Sequence, residues 1–162
     1  MWSIISALVE NKPGVLFRVT NMFRARNFNI ESLSVGPTEQ PDLSRITVTI
    51  DEEEPVIDQL VKQLDKLVDV VEVLRLDVNN TVHRELALIK IKLKDPSHRI
   101  EIINLANIFR GKIVDISKGS IMVEITGTTD KINAFIALVK DYNIVEMART
   151  GVTALARGVA SE

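Results

Sequence analysis

The spacing of apolar and polar residues changes several times along this chain, and each change marks an element. Residues 2–9 are apolar on both faces, the pattern of a central strand. Pro13-Gly14 breaks that run, and from Val15 the period becomes helical. Leu16, Val19, Met22 and Phe23 fall on one face, with Arg18, Arg24 and Arg26 turned outward. Asn27 suits the end of this helix, because Asn tolerates the left-handed conformation that a C-terminal cap requires. Residues 29–36 and 43–51 read as strands joined by a hairpin-type loop over 36–42. In the second strand Ile46, Val48 and Ile50 alternate with Arg45, Thr47 and Thr49. Glu52-Glu53-Glu54-Pro55 opens a second helix, since acidic residues and proline both favour a first turn. Ile57, Leu60, Val61, Leu64 and Val68 line its inner face, and a strand over 70–76 closes the unit.

The same order then returns after a polar linker. Residues 85–93 form a strand, and Asp95-Pro96 caps a helix carrying Ile102, Leu105, Ala106 and Phe109 inward. Gly111 ends that helix. A hairpin turns at Gly119-Ser120, Thr128-Thr129-Asp130 starts a helix carrying Ile132, Phe135, Ile136 and Val139, and 144–150 is the last strand. The expected fold is α+β: two tandem ferredoxin-like βαββαβ units related by element order. The expected boundaries are 1–78 for the first domain, 79–84 for the linker, and 85–162 for the second domain with its tail. Such a unit carries helices on one sheet face only, so its bare face or its edges need a partner. A homodimer is expected, with the first sheets joined edge to edge or back to back.

Composition narrows the chemistry. The chain has 162 residues, a net charge of -2 and no Cys, which argues against nucleic-acid binding and removes disulfides and thiolate chemistry. No apolar run approaches the roughly 20 residues that span a bilayer. The first residues enter a strand directly, so no membrane association and a cytoplasmic location are expected. His83 and His98 have no second ligand at metal-binding spacing, and no G-x-S-x-G, S-x-x-K, G-x-G-x-x-G or P-loop occurs. No catalytic set can be assembled, and no cofactor is expected in this chain.

One turn stands apart. Asn11-Lys12-Pro13-Gly14 joins a central strand to a helix start, where free N–H groups and the dipole attract an anion such as a carboxylate. Gly14 lets a ligand approach the backbone, and the Asn11 amide offers both a donor and an acceptor. Taken alone, Pro-Gly after a strand also reads as an ordinary turn. Asn29-Ile30, at the start of the second strand, adds an amide and an apolar residue that could reach the same helix start across a dimer edge. The matching corner of the second half, Lys94-Asp95-Pro96-Ser97, places an acid where a carboxylate would bind and is better used as a cap.

Residues Asn11-Lys12-Pro13-Gly14-Val15-Leu16 and Asn29-Ile30-Glu31-Ser32-Leu33 together resemble an ACT domain. The wider pattern resembles the regulatory small-subunit family of acetolactate synthase. Leu43-Ser44-Arg45-Ile46-Thr47, Phe109-Arg110-Gly111-Lys112-Ile113-Val114-Asp115 and the tail from Arg149 to Gly158 carry that likeness nearly end to end. It implies a non-catalytic subunit that activates a thiamine-diphosphate-dependent large subunit and confers feedback inhibition by valine or another branched-chain amino acid. It also implies that thiamine diphosphate, magnesium and FAD reside in that partner. The implied effector site uses Asn11, Gly14, Val15 and Leu16 from one chain and Asn29 and Ile30 from the other, with the tail suited to docking the large subunit. The sequence departs from the family at Asn27, where Gly is common, and at Ala154. Two other readings stay open on the residues alone. One is a stand-alone ACT-type binding module serving another enzyme or a transcription factor, and the other is a small ferredoxin-like enzyme.

Overall fold

Alternation in the longest aliphatic strands sets the first sheet. A computed structural model describes residues 1–159. They divide into two units, residues 1–82 with the chain from 151 onward, and residues 83–150. The first unit runs β1 (Trp2–Glu10), α1 (Val15–Ala25), β2 (Ile30–Pro37), β3 (Leu43–Asp51), α2 (Glu54–Asp65) and β4 (Val70–Leu76). The strands lie in the order β2-β3-β1-β4. Trp2 pairs with Asp51 and Glu10 with Leu43, so Ile5, Ala7 and Val9 face one side and Ile4 and Ser6 the other. Both helices cover the first side, where Val15, Val19, Phe23, Ile57, Leu60 and Leu64 close the core.

Two helical assignments differ from the periodicity. Val68 is 91% exposed, because α2 ends at Asp65 and Val68 falls in the turn before β4, while Gln63 is buried in its place. Leu16 is 42% exposed; Val15, Val19 and Phe23 form the inner stripe instead. Asn27 does take the left-handed conformation, with φ 56°.

The second unit repeats the order: β5 (Thr81–Lys92), α3 (Pro96–Ile108), β6 (Lys112–Ile116), β7 (Ser120–Gly127), α4 (Thr129–Val139) and β8 (Ile144–Arg149). Its strands lie in the order β6-β7-β5-β8. Ala87, Ile89, Ile91, Val123 and Ile125 meet Ile102, Ala106, Ile132 and Phe135 in a separate core. Arg110, not Gly111, takes the left-handed conformation after α3, with φ 57°. Gly111 is required for close packing, since a Cβ there would collide with Ile125 and stand 3.1 Å from the Glu124 carbonyl oxygen. The observed fold is thus α+β, with a βαββαβ order in each unit.

The expected linker is structured. Val78–Asn80 forms a single 3-10 turn capped by the Asp77 side chain, and β5 follows at once. The tail also departs from expectation, because it returns to the first unit rather than completing the second. It forms strand β9 (Thr153–Ala156), and the Arg157 N–H donates to the Asn80 carbonyl of the first unit at 2.8 Å. Val152 and Ala154, 2% and 4% exposed, pack on Ile4 and Leu76 with Trp2 alongside. The tail goes there because the helix-free face carries apolar side chains that would otherwise lie in water. Residues 160–162 of the expected second domain lie outside the described residues.

Candidate functional site

The turn after β1 is built from main-chain hydrogen bonds to neighbouring loops. The Asn11 N–H donates to the Asp42 carbonyl at 2.8 Å, and its side-chain Nδ2 lies 3.4 Å from the Pro41 carbonyl. Asn11 is an exposed residue. Gly14 is the N-cap of α1 with φ 85°, a backbone state that L side chains rarely adopt. Among the described helices, α1 alone starts with neither a capping side chain nor an acid in its first turn. The Val15 N–H makes a long bond of 3.4 Å to the Lys12 carbonyl, and the Leu16 and Phe17 N–H groups at the next two positions remain open to an anionic group. Val15 is buried at 3%, fixing the helix start, whereas Leu16 and Phe17 are 42% and 71% exposed beside it.

Arg18 adds a cation that periodicity had turned outward. Its Nε bonds Asp69 Oδ2 at 2.5 Å, and a Cβ at Gly14 would stand 3.2 Å from its Nη1. The guanidinium thus lies over the helix start, and its hydrogen bond with Asp69 raises its pKa further above the usual value. The signal was present in the sequence, since residues four apart share a helix face. What the sequence lacked was Asp69, distant along the chain.

Asn29 and Ile30 lie elsewhere in the chain. Asn29 is exposed and directly precedes β2, whose Ile30 pairs with Ile50. Asn11 lies at the other end of the sheet, beyond the Glu10–Leu43 pair. Seven steps of β3 separate those levels, roughly 25 Å at strand rise. A single copy therefore does not bring the two asparagines together. β2 is an edge strand, and Val35 on it is 44% exposed.

The corresponding corner of the second unit is closed. Asp95 accepts from the Ser97 N–H at 2.9 Å and from the Ser97 hydroxyl at 3.0 Å. Those bonds, the main-chain one first, hold its carboxyl below the usual carboxylate range. An anion arriving at α3 meets a carboxylate already in place. His98 packs edge-on against Tyr142, with ring centroids 5.1 Å apart. Among the described residues no group of three or more His, Cys, Asp or Glu could hold a metal ion, and no helix is long and apolar enough to cross a membrane.

Comparison with known proteins gives this geometry a family. Residues 5–72 match the family described as the AHAS small subunit-like ACT domain, and residues 84–158 match that described as the small subunit of acetolactate synthase. The acetolactate synthase small subunit of Bacillus subtilis is 48% identical over 159 residues, covering 98% of this chain and 92% of that one. The small subunit of Mycolicibacterium smegmatis is 46% identical over 154 residues, covering 95% and 90%. The crystal structure of the small subunit from Thermotoga maritima superposes with a TM-score of 0.89 at 42% identity, covering 99% of each chain. Two βαββαβ units in tandem, an uncapped helix start after β1 and these end-to-end likenesses agree: the chain belongs to the acetolactate synthase small-subunit family, with an N-terminal ACT regulatory domain.

Proposed function

We propose that this chain activates a catalytic large subunit of acetolactate synthase and makes it sensitive to a branched-chain amino acid such as valine. The observation that carries this reading is the separation of Asn11 from Asn29 at opposite ends of one sheet that has an open β2 edge. Antiparallel pairing of β2 with β2 of a second copy sets the start of one strand beside the end of the other. Asn29 and Ile30 of the second copy then approach the Asn11–Gly14 turn. The effector carboxylate meets the first N–H groups of α1 with Arg18 nearby, the two amides hold its ammonium, and Ile30 and Leu16 enclose its side chain. Occupation of the helix-free face by Val152 and Ala154 favours this edge-to-edge homodimer over a back-to-back one.

The effector acts by linkage: binding better to one arrangement of the dimer shifts the attached enzyme toward its inhibited state. The second unit, whose α3 corner is capped, takes no amino acid and serves the large subunit. Leu88 and Met147, exposed on its sheet, support that assignment. Thiamine diphosphate, magnesium and FAD belong in this reading to the large subunit, and the cytoplasm, where a chain without Cys needs no oxidising environment, is the place of action.

Adding the purified chain to the large subunit while following acetolactate formation tests the reading. The rate is expected to rise with the chain present and to fall again as valine, leucine or isoleucine is titrated. An unchanged rate, together with no response to any of the three, would overturn it and favour a binding module that serves another enzyme.

A further inference from the structure

The helix-free face of the first unit holds a cavity of about 270 Å³ between the sheet and the returning tail. Its floor is polar. Ser34, Arg45 and Thr47 come from β2 and β3, Thr153 from β9, and Glu39 from the exposed loop at the rim. Arg45 is half-buried, and its one hydrogen bond runs from Nη1 to the Ser6 hydroxyl at 2.6 Å. Among the described residues no carboxylate lies within ion-pair distance of it. A guanidinium has five N–H donors, so most of its capacity is unspent.

Thr47, 2% exposed as a residue, also lines the cavity, and its hydroxyl makes no side-chain hydrogen bond among the described residues. Ser34 and Thr153 add two more hydroxyls without side-chain partners among the described residues. Arg45, which forms no ion pair among the described residues, and the hydroxyls beside it match a compact oxyanion with two or more acceptor oxygens.

We propose that this cavity binds a small oxyanion, a carboxylate or a phosphate, held by Arg45 and Thr47 and closed by Thr153. Since Thr153 belongs to the tail, the bound anion ties β9 to the sheet. The site is separate from the Asn11–Gly14 turn, and the proposal does not depend on what that turn binds.

The test is a titration of the isotopically labelled full chain with sodium acetate, sodium phosphate and, at matched ionic strength, sodium chloride, followed by amide NMR. Saturating shifts at Ser34, Thr47 and Thr153 with acetate or phosphate, absent with chloride, are expected. Saturation by acetate alone identifies a carboxylate site, and by phosphate alone a phosphate site. Arg45→Gln is expected to weaken binding at least ~10-fold and the isosteric Thr47→Val by ~3-fold. Lys62→Gln, which removes an exposed charge on α2, leaves it unchanged. Absence of anion-specific shifts at these three residues overturns the proposal. So does an Arg45→Gln chain that titrates like the wild type. Should Arg45→Gln misfold, a Thr47→Val chain with undiminished affinity overturns it equally.

Discussion

Gly151 lies flat against the main chain of Leu33, where a Cβ on residue 151 would collide with the Leu33 carbonyl. This contact is where the tail meets the edge strand of the first sheet. Beside it the Val152 N–H lies 3.4 Å from the Ser32 hydroxyl. The obstruction is backbone, so it cannot rotate away as a flexible side chain would. Gly151→Ala is expected to lift the tail and to destabilise the chain by about 1–3 kcal/mol, the usual cost of overpacking. Urea denaturation measures the loss, and hydrogen exchange at the Val152 and Arg157 amides should accelerate. Unchanged exchange at both amides would show that the tail does not depend on this contact.

At the effector turn, binding and stability separate. Asn11 is exposed and its side-chain bond to Pro41 is long at 3.4 Å, so Asn11→Ala should alter stability by less than ~0.5 kcal/mol. Valine binding by calorimetry should nevertheless weaken at least ~10-fold, or about 1.4 kcal/mol. Unchanged valine affinity in this variant would remove Asn11 from the site.

Gly14 combines two constraints. Its φ of 85° penalises any side chain, and a Cβ would meet Arg18 Nη1 at 3.2 Å. Gly14→Asp adds a carboxylate at an anion-binding helix start as well. Loss of the valine response in the enzyme assay is expected, with a fall in stability of about 1 kcal/mol or more. A Gly14→Asp chain that still confers valine inhibition would rule out the helix start as the carboxylate's seat.

The second core depends on Phe135, which is fully buried and stacks edge-on with Phe109 at a centroid distance of 5.4 Å. Phe135→Ala should cost about 3–5 kcal/mol through the cavity it leaves. Thermal unfolding with separate probes in the two units should show the loss in residues 83–150. A loss below ~1 kcal/mol would mean that the site collapses around the smaller side chain.

Acid should weaken the cap of α3. The Ser97 N–H and hydroxyl stabilise the Asp95 carboxylate, so its folded pKa lies below the unfolded one. Its contribution to stability is then fully present above the unfolded value of about 3.9 and is lost as pH falls through the folded value. Asp95→Ala should therefore lower Tm at neutral pH, with the gap to the wild type closing as the solution is acidified below pH ~4. A gap of constant size down to pH ~2 would show that the carboxylate charge does not stabilise the cap.

Local chemistry made much of this protein legible in its sequence. Alternation in β3 and helical spacing in α4 are properties of a few neighbouring residues, and so are the cap at Asp95 and the left-handed Asn27. All of these are found in the fold. The Asn11–Gly14 turn could likewise be read as a helix start suited to an anion, because its backbone and its missing cap are set within six residues. Tertiary structure decided what depends on distant partners. Val68 is exposed because α2 stops early, and Arg18, outward-facing as its period implies, finds its ion-pair partner in Asp69, 51 residues along the chain. The tail leaves the second unit because Ile4 and Leu76 offer it an apolar face. The same return encloses Arg45 and Thr47, which alternation alone had placed on an open surface. Hydrophobic burial and charge pairing act through space, so no local pattern along the chain could have announced them.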